Sequence, residues 1–429
     1  MKNVVLFALM GLAFFAAGTF QSWSFSLTIL NLCLISAVMA LGVNIQWGYA
    51  GIFNVGIMGF AALGGAAAIL VNAAPVPEAW AAGGVGIGAS LIALLAVIGL
   101  IVLIRKKLRG RLRRYATILA VVGGYFAVRS VYGPAVQAIE SVDPSKTGYL
   151  GGLGLPIIFS WIVGGAFAAG GAWVVGKVAL GLRSDYLAIA TLGISEIIIA
   201  VLKNEDWLTR GVKNVSTLEP AVPTAIELQN APWFQDLAVR FDSDLTTASS
   251  IAVKLSYAAL FTIVLLIVLW LSERALKSPW GRMMRAIRDN RDAAQAMGKN
   301  VTRRHLQTFV IGSAVVGIAG AMLTTMDAQF TPGSYNPLRF TFLIWVMVIV
   351  GGSGNNWGSI LGGFLIWFVW IEAERFGPLM MELVTSGMDP ESALRGNLME
   401  SAAHLRLFLM GAILLLVLRF SPRGLIPEK

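Results

Sequence analysis

Residues 25–59 read FSLTILNLCLISAVMALGVNIQWGYAGIFNVGIMG, and their pattern sets the fold class. Over 25–46 the run is apolar, without charge or proline. At about 1.5 Å per residue it is long enough to cross the roughly 30 Å hydrocarbon layer of a bilayer as a helix. The pattern then breaks. Gly48, Gly51, Gly56 and Gly59 interrupt it, with polar Asn44, Gln46 and Asn54 among them, before apolar sequence resumes toward residue 72.

Similar apolar runs recur along the whole chain. They lie at 4–20, 52–72, 82–104, 115–138, 153–180, 185–203, 250–272, 307–326 and 401–420, and 340–371 holds two short spans or one re-entrant pair. This predicts ten to twelve helices in an all-α polytopic membrane protein. Composition agrees: 57% of the 429 residues are hydrophobic and 13% charged, against about 25% charged in soluble domains. Mean hydropathy is +0.74. So few charges cannot cover a soluble surface of this size, which also excludes disordered, fibrous and disulfide-rich secreted classes. The single cysteine, Cys33, makes no intrachain disulfide, and His305 and His404 lie far apart in sequence, so neither a metal site nor a nucleophile cluster is expected. The first run follows Lys2 and would also suit a cleaved targeting segment, although no A-x-A site follows it.

Charge gives the orientation. In a soluble protein a net charge of +10 would point to nucleic acid. Here the basic residues are confined to a few loops, which is the signature of membrane topology, and no nucleic-acid partner is expected. Segment 105–114, RKKLRGRLRR, holds seven Lys/Arg and no acid, and 273–304 holds nine against three. The tail adds Arg419, Arg423 and Lys429. The balance reverses in 203–247, with four basic residues and seven acids, and in 372–400, with two and six. Because positive loops stay cytoplasmic, the expectation is one transmembrane domain over 1–429 with both termini inside. In it 203–249 and 372–400 are periplasmic, and 273–306 is cytoplasmic.

A second glycine-rich break, Gly351-Gly-Ser-Gly354-Asn355-Asn-Trp-Gly358-Ser-Ile-Leu-Gly362-Gly363, lies toward the other end of the chain. Paired interruptions point to inverted internal repeats of Gly-broken helices around a midplane pathway. Glycine that merely lets helices approach is the plainer alternative. The candidate pathway residues are Asn44, Gly48, Gly51, Asn54, Gly351, Gly354 and Asn355. Glu196 joins them, because a carboxylate midway along an apolar run is costly in lipid unless it has a role.

The segment 278–305, SPWGRMMRAIRDNRDAAQAMGKNVTRRH, carries the clearest docking pattern. Ser278-Pro279 suits a helix start. Ala293, Ala294, Ala296, Met297 and Gly298 form a small-residue surface, with Arg285, Arg288, Asp289 and Asn290 around it. Small side chains let a short helix enter a groove on another protein, while the charges fix its register. A solvated basic loop is the plain alternative. Gly171-Ala-Trp-Val-Val-Gly176-Lys177-Val178 approaches a phosphate-binding loop, but no hydroxyl follows the lysine and no strand precedes it, so no nucleotide site is expected on this chain.

With these pieces in this order, the sequence resembles the M-type permease subunit of the branched-chain amino-acid ABC importers. The resemblance rests on Gly48–Gly59; Arg183-Ser-Asp185-Tyr186 with Thr191-Leu-Gly193; Glu196-Ile; Trp207-Leu-Thr-Arg-Gly211; Ser278-Pro279-Trp-Gly281; Arg288-Asp289-Asn290; Ala293 through Gly298; Gly351-Gly352 with Trp357-Gly358; and Arg419-Phe-Ser-Pro422-Arg423-Gly424. Together these cover most of 42–426. Residues 82–150 match loosely, Ser184 stands where the family often has Gly, and Phe53-Asn54-Val55 lacks the polar residues common there. The resemblance implies a transport subunit, not an enzyme, in a bacterial inner membrane. It also implies a related second permease as heterodimer partner, two cytoplasmic ATPases that bind ATP and Mg, and a periplasmic binding protein. On this resemblance 278–305 is the ATPase-coupling segment, and this chain itself binds no cofactor. Branched-chain or related small amino acids are the implied cargo, with urea and short amides as the alternative. An ion-coupled carrier should offer several intramembrane carboxylates, and Glu196 is the one clear case. A channel filter would need rings of repeated carbonyls or charges.

Overall fold

The computed structural model describes residues 2–143, 147–216, 218–389 and 392–428; Glu391 and Lys429, counted above among the loop charges, lie outside them. The principal helices are α1 (Lys2–Phe20), α2 (Trp23–Ala50), α3 (Ile57–Asn72), α4 (Val85–Lys107), α5 (Gly110–Glu140), α6 (Phe159–Ala179) and α7 (Ser184–Asn204). They continue with α8 (Leu245–Lys277), α9 (Pro279–Asp289), α10 (Arg291–Ala296), α11 (Val301–Asp327), α12 (Pro337–Gly351), α13 (Asn356–Val384) and α14 (Leu405–Phe420). Every apolar run becomes a helix, and 340–371 resolves into α12 and α13. Among the described residues eight helices are long and apolar enough to cross a membrane, or nine if the bent pair 394–401 and 405–420 is one span. The chain is an all-α polytopic membrane protein.

The core forms where small residues let backbones touch. A Cβ on Gly64 of α3 would overlap the Gly317 carbonyl of α11, and one on Gly42 of α2 would fall 2.7 Å from the Gly312 carbonyl. In lipid no hydrophobic force draws helices together, so close van der Waals packing and interhelical hydrogen bonds must hold them. Two such bonds are Gln46 Nε2 to Phe309 O at 2.9 Å and Trp161 Nε1 to Thr325 Oγ1 at 3.0 Å. Among the eight long apolar helices α2 and α11 are accordingly the most enclosed, 78% and 67% buried over their apolar windows.

The loosely matching region has a structural counterpart. Helices α4 and α5 form a hairpin only 6% and 0% buried over the same measure, standing off the core. It is tethered near one end, where Tyr132 donates to Glu205 and Trp207 Nε1 donates to Tyr132 Oη at 2.8 Å. The acidic segments are more helical than expected of loops. Helix α13 runs on to Val384, and 206–240 folds into Asp206–Thr209, Ala225–Asn230 and Pro232–Arg240.

The two glycine breaks come together in the fold. Helices α2 and α12 run in the same direction and stop beside each other, and α3 and α13 return from there. Trp47 stacks edge-on against Trp345 at 5.2 Å, and Trp345 Nε1 donates to Asn54 O at 3.1 Å. Both breaks therefore face the end of the bundle that carries α9 and α10.

Candidate coupling site

The segment after α8 is built by successive caps. Ser278 accepts from Gly281 N at 3.4 Å, with Pro279 in the first turn, where its missing N–H costs nothing. Asn290 caps α10 by accepting from Ala293 N at 2.9 Å, and Asn300 caps α11 by accepting from Arg303 N at 2.9 Å. Gly298, at φ +76°, makes the left-handed turn between α10 and α11. Gly281, Met284 and Ile287 of α9 are buried, and Thr308 of α11 donates to the Met284 sulfur at 3.6 Å.

This packing leaves Ala293, Ala296, Met297 and Gly298 exposed, with Met297 79% accessible. Asp289 and Asn290 are exposed beside them and Arg285 is half-buried. Two residues depart from the expected surface. Ala294 faces inward and is buried, because it is the α10 residue turned toward the core. Arg288 also turns inward. Its guanidinium donates to the Gly48 carbonyl and to Glu428 at 2.8 Å, while its Nε donates to Asp289 at 3.0 Å. Partial burial alone would lower its pKa; hydrogen bonds to the Glu428 and Asp289 carboxylates outweigh this and raise it.

Arg288 thus touches the place where the two breaks meet. Gly51, at φ +65°, ends α2 with its N–H on the Trp47 carbonyl while Ile52 N–H takes the Gln46 carbonyl, and a Cβ at Gly51 would lie 3.4 Å from Arg288 Cγ. Asn44 Nδ2 donates to Asn356 Oδ1 at 3.1 Å, and Asn44 Oδ1 accepts from Gly354 N at 2.8 Å. Tyr49 Oη donates to Asn356 Oδ1 at 2.8 Å, and Asn356 Nδ2 donates to Glu273 of α8 at 3.0 Å. Asn355 caps α13, accepting from Trp357 N at 3.0 Å, while its Nδ2 donates to Pro427 O at 3.0 Å. The tail completes the joint: Leu425 N donates to Val350 O and Ile426 N to Gly351 O, both at 2.9 Å. These bonds occupy carbonyls that α12 leaves open at its end.

The predicted pathway residues divide accordingly. Asn44, Gly48, Gly51, Gly351, Gly354 and Asn355 gather in one joint. Asn54 lies next to it, donating to Gln46 Oε1 at 2.8 Å and accepting from Gly56 N at 2.9 Å. Asn44 and Asn54 are both buried and hydrogen-bonded within the protein. Glu196 is not part of the group; it sits on the exposed face of α7 with Ile189 and Ile197. The reading from sequence missed Tyr49, Glu273 and Glu428 as members of the joint. Gly171–Val178 lies wholly within α6, with no loop to cradle a phosphate.

The buried amides make a testable load. Asn356→Leu would remove the acceptor shared by Asn44 Nδ2 and the Tyr49 hydroxyl, leaving these two only each other, and would take the Asn356 donor from half-buried Glu273. Unsatisfied buried groups cost about 1–3 kcal/mol each. The variant should unfold several degrees below the unaltered chain in a thermal scan in detergent, whereas Asn355→Ala should lose less, since its partners reach solvent.

Residues 115–418 match the family described as the branched-chain amino acid transport system, permease component. The "Probable branched-chain amino acid transport permease protein LivM" of Methanocaldococcus jannaschii is 25% identical over 91% of this chain and 90% of its own length. The high-affinity branched-chain amino acid transport system permease protein LivM of Escherichia coli is 26% identical over 62% of this chain and 56% of its own. The corresponding LivH of that organism is 26% identical over 38% of this chain and 48% of its own. No solved structure matches. Relatives of both permease types place the chain beside another permease subunit. By the family match over most of its length, the chain belongs to the branched-chain amino acid transport system permease family, and it is a permease subunit of an ABC importer.

Proposed function

We propose that this subunit carries branched-chain or related small amino acids inward across a bacterial cytoplasmic membrane, as a heterodimer with a second permease. A periplasmic binding protein delivers the cargo at the acidic end. Two cytoplasmic ATPases, which bind the ATP and Mg, engage the basic end. The observation that carries this reading is the α9–α10 segment: a small, exposed docking surface whose inward residue, Arg288, bonds the end of α2 at Gly48 and the tail at Glu428. Force on α9 would reach α2 directly and α12 through the tail that pairs with it. The cargo would pass along the outer face of α7, where Glu196 lies, against the partner permease. The cargo class follows the names of the relatives.

Reconstituted vesicles test it. Leucine uptake should require both ATPases, the binding protein and ATP, while the isolated chain hydrolyses no ATP; ATPase activity in the pure chain would sink the division of labour. Topology is a separate check. A cysteine replacing Val239 should label from outside, and cysteines replacing Leu112 or Met297 only after permeabilisation. Labelling of Met297→Cys from outside would invert the scheme.

A further inference from the structure

We propose that the α4–α5 hairpin holds an anionic phospholipid, with its headgroup in the basic turn and its acyl chains in the groove between the two helices. Arg105, Arg113 and Arg114, with Thr117, line a cavity of about 630 Å³ at the turn. No ion pair among the described residues includes these arginines. A second cavity of about 660 Å³ runs between the same helices, lined by Leu94, Val97, Ile101 and Val121 among others. The two follow on from each other: Arg105 is one helical turn past Ile101, and Ile118 of the basic cavity lies three residues before Val121, so each pair shares a helix face. Gly124 and Val97 touch across the hairpin, which fixes the spacing of the groove walls.

Charge decides the occupant. Guanidinium forks match phosphate oxygens bidentately, and basic pockets on the cytoplasmic side of membrane helices suit acidic lipid headgroups. A free phosphate would use only the basic half, and a neutral lipid only the apolar half. A phospholipid bearing net negative charge uses both, and it accounts for a hairpin that gives the helix core almost nothing. Positive-inside orientation alone would need the charges but not their convergence on one cavity.

The test is native mass spectrometry of the full chain in mild detergent, titrated with dioleoyl phosphatidylglycerol, dioleoyl phosphatidylcholine or short-chain dibutyroyl phosphatidylglycerol. Dioleoyl phosphatidylglycerol should bind at least about tenfold more tightly than either of the others. The triple variant R105Q/R113Q/R114Q should lose that preference. The triple variant K106Q/K107Q/R111Q, which removes equal charge outside the cavity, should keep it. Val121→Trp, filling the groove, should bring dioleoyl binding down to the short-chain level. Equal binding of phosphatidylcholine by the unaltered chain would overturn the proposal even if a variant fails to fold. So would equal loss in both triple variants, or cross-linking of the Leu94–Val121 groove to the second permease in the assembled complex with no lipid retained.

Discussion

Gly298→Trp should insert and fold normally yet lose co-purification of the ATPases, and with it substrate uptake. Nothing lies within 4 Å of the position a Cβ would take there, so the fold meets no clash, although the left-handed backbone at φ +76° costs an ordinary L-residue about 1–2 kcal/mol of stability. The docking partner does meet one. A bulky side chain on a packed surface typically costs about 1–3 kcal/mol. Roughly 1.4 kcal/mol is tenfold in an equilibrium, so recruitment should fall by about ten- to a hundredfold. Gly298→Asn separates the causes, since asparagine tolerates the left-handed region and is small; it should keep most of the recruitment. Full uptake and full co-purification by the tryptophan variant would return 278–305 to a solvated loop.

Arg288→Met should do the opposite: the ATPases stay bound and uptake falls by at least about tenfold. The methionine roughly fills the volume but donates nothing to Gly48 or Glu428. Hydrogen bonds to charged groups contribute about 1.5–3 kcal/mol, enough to uncouple α9 from the breaks while leaving Ala293, Ala296 and Met297 untouched on the docking side. Stimulated ATPase activity that no longer drives transport is the diagnostic readout. If Arg288→Met instead loses the ATPases, the arginine belongs to the docking face and the inward grip has no part in transmission.

The helices were legible because a span must be about twenty apolar residues long, and nothing tertiary alters that. Caps were legible too, as at Ser278-Pro279. The side chains that join helices were less so. Arg288 looked like one more cation in a basic loop, yet Gly281, Met284 and Arg288 stand at i, i+3 and i+7, the spacing of one helix face. That signal was present in the sequence and outweighed by the surrounding charge. Glu428 carried no signal: a lone acid near a basic tail takes its meaning from α12 ending opposite it. The glycine breaks were located correctly, but that they pack side by side was not legible, because glycine spacing says where a helix stops and not what lies beside it. Glu196 shows the same limit. Its apolar neighbours announce a carboxylate in a span, but only the packing of α7 reveals that it looks away from the core.

The Arg288 joint also orders the protein's biosynthesis. Gly48 precedes Arg288 by 240 residues, and Glu428 follows it by 140. At about 5–20 residues per second, a ribosome needs roughly 7–28 s after making Arg288 before its acidic partner exists. During that interval α9 hangs from α8 with its guanidinium only half engaged, and α12 ends on bare carbonyls. The joint between α9 and the helix ends is therefore the last part of the fold to close, once the tail has been made.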